Sequence, residues 1–306
     1  MANTFLTDNA GRISAVALEQ LYRQMVLPSL VWRDISTDFD RGEGDTVTIR
    51  RPAILPKRRY SQTLRAAGTP IVLDEVTETG VPIVVDTHSY SAVGIPDEDE
   101  ALNIRDFASQ VLAPQMSAVS EDVEDAVAAT FTGLAATNDI TVAQESTAAG
   151  GGYKDPVLDI IKAHTFLSNN KVRTANRFLV MGPTFAGVML ADDRFSRADV
   201  SGDATSLQTA AFKPTYGFMP FESLTIPTNE AFAFSREAIA MATVTPRNPR
   251  GATASESVRA NGMVLRWLSD YDPAFLRDRS IVSMLSGSKL VDSTRIVRMK
   301  LGPVVA

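Results

Sequence analysis

From Ile104 to Thr132 the apolar residues Ile104, Phe107, Ala108, Val111, Leu112, Met116, Val119, Val123, Val127 and Phe131 fall near one stripe. That spacing predicts one helix with a single buried face. Its 29 residues would extend about 43 Å at ~1.5 Å per residue, more than twice the length of an average globular helix. A rod of this length needs an equally long apolar surface to lie on, so it constrains the fold more than any other segment. Asp97 to Glu100 and Asn103 supply negative charge and a cap near its start. Gly133 is expected to stop it. Pro114 is expected to kink it or to mark a join between two shorter helices. Pro114 and Gly133 are therefore the candidate hinges.

The segment before this helix has the opposite character. Val47 and Ile49 alternate with Thr46, Thr48 and Arg50, which predicts a strand after a Gly-rich turn. Pro52 and Pro56 then interrupt it. Between Arg50 and Asp86 only short β-like pieces remain, Ile71–Leu73 and Val81–Val85, with too few apolar residues to close a core. An extended hairpin loop projecting from the body is the simplest account. Charge is segregated along it. Residues 41–65 carry seven cations (Arg41, Arg50, Arg51, Lys57, Arg58, Arg59, Arg65) against two acids, whereas residues 74–106 carry nine acids against one cation. A basic arm beside an acidic segment suits docking onto a second copy, because opposite potentials steer encounter and fix register. On this reading Arg50, Arg51, Lys57, Arg58, Arg59 and Arg65 are the candidate inter-subunit contacts. Asp74, Glu75, Glu78, Asp97, Glu98, Asp99 and Glu100 are the candidate acidic partners. Two solvated faces that never meet would give the same pattern.

The remaining segments predict an α+β chain. An N-terminal helix is expected from Ser14 to Leu30, with Pro28 ending it or sitting in its last turn. Residues 133–152 are rich in Ala, Thr and Gly and read as a linker. A helix from Asp155 to Leu167, a buried strand at Phe178–Met181 and a helix at Pro183–Leu190 follow, and residues 192–220 read as irregular. The C-terminal part is β-rich, with strands at Ala238–Thr243, Met263–Leu268 and Ile296–Leu301. Ile281–Leu285 is a strand or a helix, broken by Gly287.

Composition narrows the function classes. The chain has 306 residues, enough for two compact regions and a sizeable core. It has no cysteine, so disulfides, thiolate metal sites and cysteine nucleophiles are excluded. A net charge of −6 disfavours tight sequence-specific DNA binding, which usually carries a basic excess. No apolar run approaches the ~18 residues needed to span a bilayer, and Met1 to Gly11 lacks the pattern of a signal peptide. The chain reads as soluble and not secreted.

No catalytic signature stands out. His88 and His164 are the only histidines and belong to no spaced ligand set. There is no GxSxG elbow, no GxxxxGK[ST] phosphate loop and no GxGxxG after a strand. The run Asp97–Glu100 reads as a solvated turn before a helix more readily than as a cation site. The acid pairs Asp192/Asp193 and Asp270/Asp272 are of a kind common on surfaces. No cofactor or metal is expected.

Two stretches carry a resemblance. IRDFASQVLAPQMSAVSEDVEDAVAATF resembles the spine helix of the coat proteins typified by the Salmonella short-tailed phage. LRWLSDYDPAFLRDRSIVSMLSGSKLVDSTRIVRM resembles that family's C-terminal end. The whole order of features resembles the Hong Kong 97 capsid fold of tailed-bacteriophage major capsid proteins. The resemblance implies an N-arm and helix at 1–35 and an extended E-loop at 48–88 that overlaps a neighbouring subunit. It implies a peripheral P-domain from 89–135 and 242–306, with the spine helix at about 104–132, and an axial A-domain at 153–241. It implies a non-enzymatic shell protein whose copies form pentamers and hexamers. The chain reads as too short for the inserted domain of the Salmonella phage coat and as having no long helical extension to act as a built-in scaffold. A separate scaffolding protein, a portal, an optional decoration protein and non-specifically contacted double-stranded DNA are the implied partners. The implied location is the virion capsid, assembled in the bacterial cytoplasm. An encapsulin-type shell and a soluble α/β enzyme without a motif are the alternatives.

Overall fold

The computed structural model describes residues 25–33, 46–51, 55–76, 78–97, 111–142, 156–192, 212–244, 246–249, 251–260 and 263–302. The expected start of the long helix at 104–110, most of the N-terminal helix, Glu98–Glu100 and residues 143–152 lie outside them.

One sheet is built from β3 (Thr87–Pro96), β8 (Ile239–Val244), β9 (Ala254–Ala260), β10 (Met263–Asp272) and β11 (Arg277–Leu290). Its order is β3-β11-β10-β9. Leu285 and Ser286 pair with both β3 and β8, so β8 continues the edge of β11 that β10 occupies further back. The long helix α3 (Ala113–Thr132) lies on this sheet. Its stripe of Met116, Val119, Val123, Val127 and Phe131 is buried against Trp267, Val282 and Met284. Each fully buried side chain of this kind contributes roughly 1.5–3 kcal/mol. The first turn is pinned by polar contacts. Gln115 donates from Nε2 to the Ser280 carbonyl (2.8 Å) and the Ser91 carbonyl (3.2 Å), and accepts from Ser280 Oγ (2.9 Å). Trp267 Nε1 donates to the same Ser280 Oγ.

Pro114 sits in the first turn of α3, where its missing N–H costs nothing, directly after a π-type turn at Val111–Leu112. Gly133 caps the other end through bonds to the Ala129 and Phe131 carbonyls. Its φ of −70° is open to any residue.

The second sheet runs β4-β12-β7-β5-β6, from β4 (Asp139–Val142), β12 (Ile296–Leu301), β7 (Glu230–Ser235), β5 (Arg177–Met181) and β6 (Met219–Glu222). Its central strands β12, β7 and β5 are buried on both faces, and the period of two sorts their residues. Phe178, Val180, Phe232, Phe234 and Ile296 join the α3 core. Leu179, Met181, Ala231, Ala233, Val297 and Met299 face α4 (Pro156–Asn169) and α5 (Pro183–Ala191).

Several expectations are corrected. Residues 136–142 are not linker: a 3-10 turn at Ala136–Asn138 leads into β4, which pairs in parallel with β12. The tie comes from far along the chain, since Arg298 grips Asp139 with two bonds (2.7 and 2.9 Å) and also donates to the Thr132 carbonyl at the end of α3. Ile281–Leu285 lies in a strand, and Gly287 does not break it. A Cβ on Gly287 would stand 2.0 Å from the Val84 carbonyl oxygen, so glycine is needed there for a close chain crossing. Ile71–Leu73 forms no strand. The described end of the expected N-terminal helix is a single turn, α1 (Leu27–Leu30), which carries Pro28, and Met25 and Val26 lie before its start. Strand β6 begins at Met219, inside the stretch read as irregular, and β3, β7 and β9 were not anticipated.

Candidate interaction surfaces

Strands β1 (Thr46–Arg51) and β2 (Thr79–Val84) form a two-stranded antiparallel ribbon, in register from Thr46↔Val84 to Arg51↔Thr79. Its root is anchored. Ile49 and Ile83 are buried with Ala240, Ala242 and Val291, and Trp32, Val47, Val81, Val85 and Val244 pack around them.

The tip, residues 55–76, has no buried residue among those described. Leu73 is 85% exposed, Ile71 67%, Val76 64% and Val72 60%. Polar contacts nevertheless give the tip a defined shape. Ser61 caps the short helix α2 (Gln62–Ala66) by accepting from the Leu64 N–H. Gly68, at φ +66°, ends it, with Thr69 N bonding back to the Leu64 carbonyl. Tyr60 Oη donates to the Thr69 carbonyl (2.8 Å), and the Arg65 guanidinium stands 5.9 Å from the Tyr60 ring centroid. A segment ordered in this way, with its apolar side chains exposed, would lose little freedom if a partner covered it.

The charged candidates separate into groups. Arg58 and Asp74 find each other inside the tip, through two bonds of 2.6 and 2.8 Å. The Arg58 hydrogen bond holds the Asp74 carboxyl below its ordinary range. These two residues therefore serve the shape of the loop. Arg50 in β1 and Lys57 and Arg59 in the tip are exposed, and no carboxylate of the described residues lies within ion-pair distance of them. Arg51 ends β1. Glu75 and Glu78 are exposed beside the tip. Asp97 follows β3 and accepts from Tyr271 Oη (3.0 Å), which raises the Tyr271 phenol. Sequence reasoning missed the acidic surface that the fold presents best: Glu121, Asp122 and Asp125 all lie on the exposed side of α3. The charge count of residues 74–106 stopped short of them.

A second apolar projection is the turn between β10 and β11. Phe275 is 68% exposed and Leu276 59%. Leu276 adopts φ +47°, a conformation that costs a branched residue of order 1–2 kcal/mol and that glycine or asparagine would take more easily. The acids at its base are already engaged, Asp270 with Arg279 and Asp272 with Arg277. The outermost side chains of the turn, Phe275 and Leu276, are apolar.

A cleft of about 370 Å³ lies between the second half of α3 and β11, lined by small residues such as Ala126, Thr130, Ser286 and Ser288. Asp86 is the only titratable residue lining it among the described residues, which place no acid–base pair there. Among the described residues no group of three His, Asp or Glu is placed to hold a metal. His88 lies beside Tyr90, and His164 Nδ1 faces the buried Arg177 guanidinium at 3.3 Å. No helix of the described residues is long and apolar enough to cross a membrane.

With this geometry in hand, the fold can be placed. No family model and no curated protein matches the sequence. Solved structures match it over most of its length, and they define its class as the mixed helix-and-sheet fold of phage capsid chains. A chain from Mycobacterium phage Che8 is 20% identical with a TM-score of 0.67, covering 90% of this chain and 91% of that one. A chain from the capsid of Cyanophage P-SCSP1u is 16% identical with a TM-score of 0.65, covering 91% and 88%. A virus-like particle from Pyrococcus furiosus is 13% identical with a TM-score of 0.51, covering 94% and 98%. At these identities the likeness is one of fold.

Proposed function

We propose that this chain is the major capsid protein of a tailed bacteriophage, a structural protein and not an enzyme. Its copies form pentamers and hexamers that close into an icosahedral shell around double-stranded DNA. The observation that carries the reading is the ribbon: a root buried in the body and an ordered tip with exposed Ile71, Val72, Leu73 and Val76, on a fold shared with shell proteins. Exposed apolar groups on a projecting element need a partner surface, and in a closed assembly that surface belongs to another copy.

In this reading the ribbon is the E-loop of a Hong Kong 97-type subunit and α3 is its spine helix. Residues 1–35 are the N-arm, 89–135 and 242–306 the P-domain and 153–241 the A-domain. The resemblance to the Salmonella short-tailed-phage coat proteins belongs to the same proposal. Lys57, Arg59 and Arg50 of one copy meet the acidic side of α3 in the next, Glu121, Asp122 and Asp125. Each exposed pair adds only about 0–1 kcal/mol, so repetition over the shell supplies the total. The Phe275–Leu276 turn gives a second contact between copies. Assembly takes place in the bacterial cytoplasm on a separate scaffolding protein, with a portal and, in some particles, a decoration protein. The packaged DNA is held non-specifically.

Reversing charge at Lys57 and Arg59 together tests the docking. Arg58 is left in place because it shapes the tip. The expected result is a folded subunit with a sharply lower shell yield, and normal yield from the double variant would count against the docking. The likeness to a virus-like particle supports a second reading, an encapsulin-type shell. The contents of purified shells separate the two, since DNA supports the phage head and an enclosed protein supports the other.

A further inference from the structure

Glu124 is a carboxylate on the buried side of α3, only 8% exposed, between the core residues Val123 and Val127. A buried ionised group needs strong compensation, and a methionine of similar size would fill this position at no such cost. Its partners lie almost a hundred residues away. Oε2 accepts from the Val26 N–H (3.0 Å) and Oε1 from the Leu27 N–H (3.1 Å). These are the free donors at the start of α1. Val26, in the cap position, has no side-chain acceptor, Pro28 has no N–H, and Ser29 N already bonds to the Val26 carbonyl. Glu124 therefore supplies from another element the cap that the local sequence lacks.

The capped segment, residues 25–33, makes further contacts to the body. Met25, Leu27, Leu30 and Val31 are buried in the α3 core. Trp32 adds one bridge at the edge of β8: its N–H donates to the Ile239 carbonyl, and its carbonyl accepts from the Met241 N–H. Arg236 Nε reaches the Val31 carbonyl at 3.5 Å.

We propose that Glu124 is a latch for residues 25–33: its two bonds hold this segment on the body, and the segment opens as one unit when they are lost. Opening returns the carboxylate to water, so the latch recovers its own desolvation cost on release, which the apolar contacts of the segment do not. The latch fixes the place of residues 25–33 on the body, and it does so in an isolated subunit. The inference therefore holds or fails independently of the shell reading.

Amide hydrogen exchange on the unassembled full-length chain tests it, comparing wild type with Glu124→Met. The expected result is that the Val26, Leu27 and Trp32 amides all speed up by about tenfold or more, the scale of losing hydrogen bonds to a charged acceptor. Val282 and Met284 in β11 should keep their rates. Faster exchange at Val26 and Leu27 with Trp32 unchanged would overturn the latch, because only the local bonds would have been lost. Uniform acceleration across the chain, or none at all, would overturn it too. Should Glu124→Met fail to fold, Glu124→Gln, which keeps one acceptor oxygen, is read for the same joint pattern at a smaller factor.

Discussion

The root and the tip of the ribbon are made of the same kinds of residue. At the root, Ile49 and Ile83 turn inward onto Ala240, Ala242 and Val291, and Gly287 lets the chain cross β11 in close contact. At the tip, Ile71, Val72 and Leu73 turn outward, with nothing among the described residues to cover them. Charges divide in the same way. Body acids such as Asp139, Asp270 and Asp272 are held by arginines, whereas Lys57 and Arg59 at the tip meet no carboxylate among the described residues. The difference separates a root packed within the single chain from an exposed tip, which the proposed shell would cover with a neighbouring copy.

The largest separation between the two regions should appear in subunit stability. Phe131→Ala, which empties the space beside Phe232 and Phe234, should cost about 3–5 kcal/mol. Leu73→Ala should stay within about 0.5 kcal/mol. Denaturant unfolding of both variants checks this, and comparable losses would erase the distinction between body and tip.

Gly287→Ala probes the boundary between them. The added methyl meets the Val84 carbonyl and should cost about 1–3 kcal/mol. Hydrogen exchange should rise at β1 and β2 before it rises at β10. Faster exchange in β10 with an unchanged ribbon would mean that the root does not depend on this crossing.

Two body carboxylates should titrate in opposite directions. Burial alone would raise the Asp139 carboxyl, but the bonds from Arg298 and Lys300 hold it below its ordinary range. Its stabilising share is present above the ordinary carboxylate range and is lost as pH falls through the lowered value. Asp139→Asn should therefore cost about 1–2 kcal/mol at neutral pH, less in acid. Burial pushes the Glu124 carboxyl up, against the two backbone bonds that lower it. Its share is full in acid and is lost as pH rises through the raised value. Wild type should thus lose ground to Glu124→Gln as pH rises. Thermal melts across pH read both slopes, and slopes of the same sign would contradict this electrostatic account.

The sequence disclosed what periodicity and local chemistry encode. The α3 stripe, the Gly133 stop, the strands around Val47, Phe178, Val264 and Ile296, and the projecting loop all followed from spacing or from turn residues. What stayed hidden depends on distant partners. Strand β4 is too short to show a period, and Arg298 and β12 hold it in place. Gly287 read as a breaker because its reason is a carbonyl some two hundred residues earlier. In β7, Phe232 and Phe234 serve one core while Ala231 and Ala233 serve another, which a one-sided pattern does not reveal. The candidate surface was half legible. The exposed basic tip was expected, but counting charge along the chain could not show that Arg58 closes onto Asp74. Nor could it show that α3 turns Glu121, Asp122 and Asp125 outward.

The central claim is that copies of this chain close into a shell through the exposed ribbon tip. Electron microscopy of the full chain under assembly conditions, beside the double variant Ile71→Asp/Leu73→Asp, tests it most directly. The account predicts hollow closed particles from the wild type and none from the double variant, with both subunits melting at the same temperature. A wild type that stays a small oligomer under every condition would contradict it, as would closed shells from the double variant at wild-type yield.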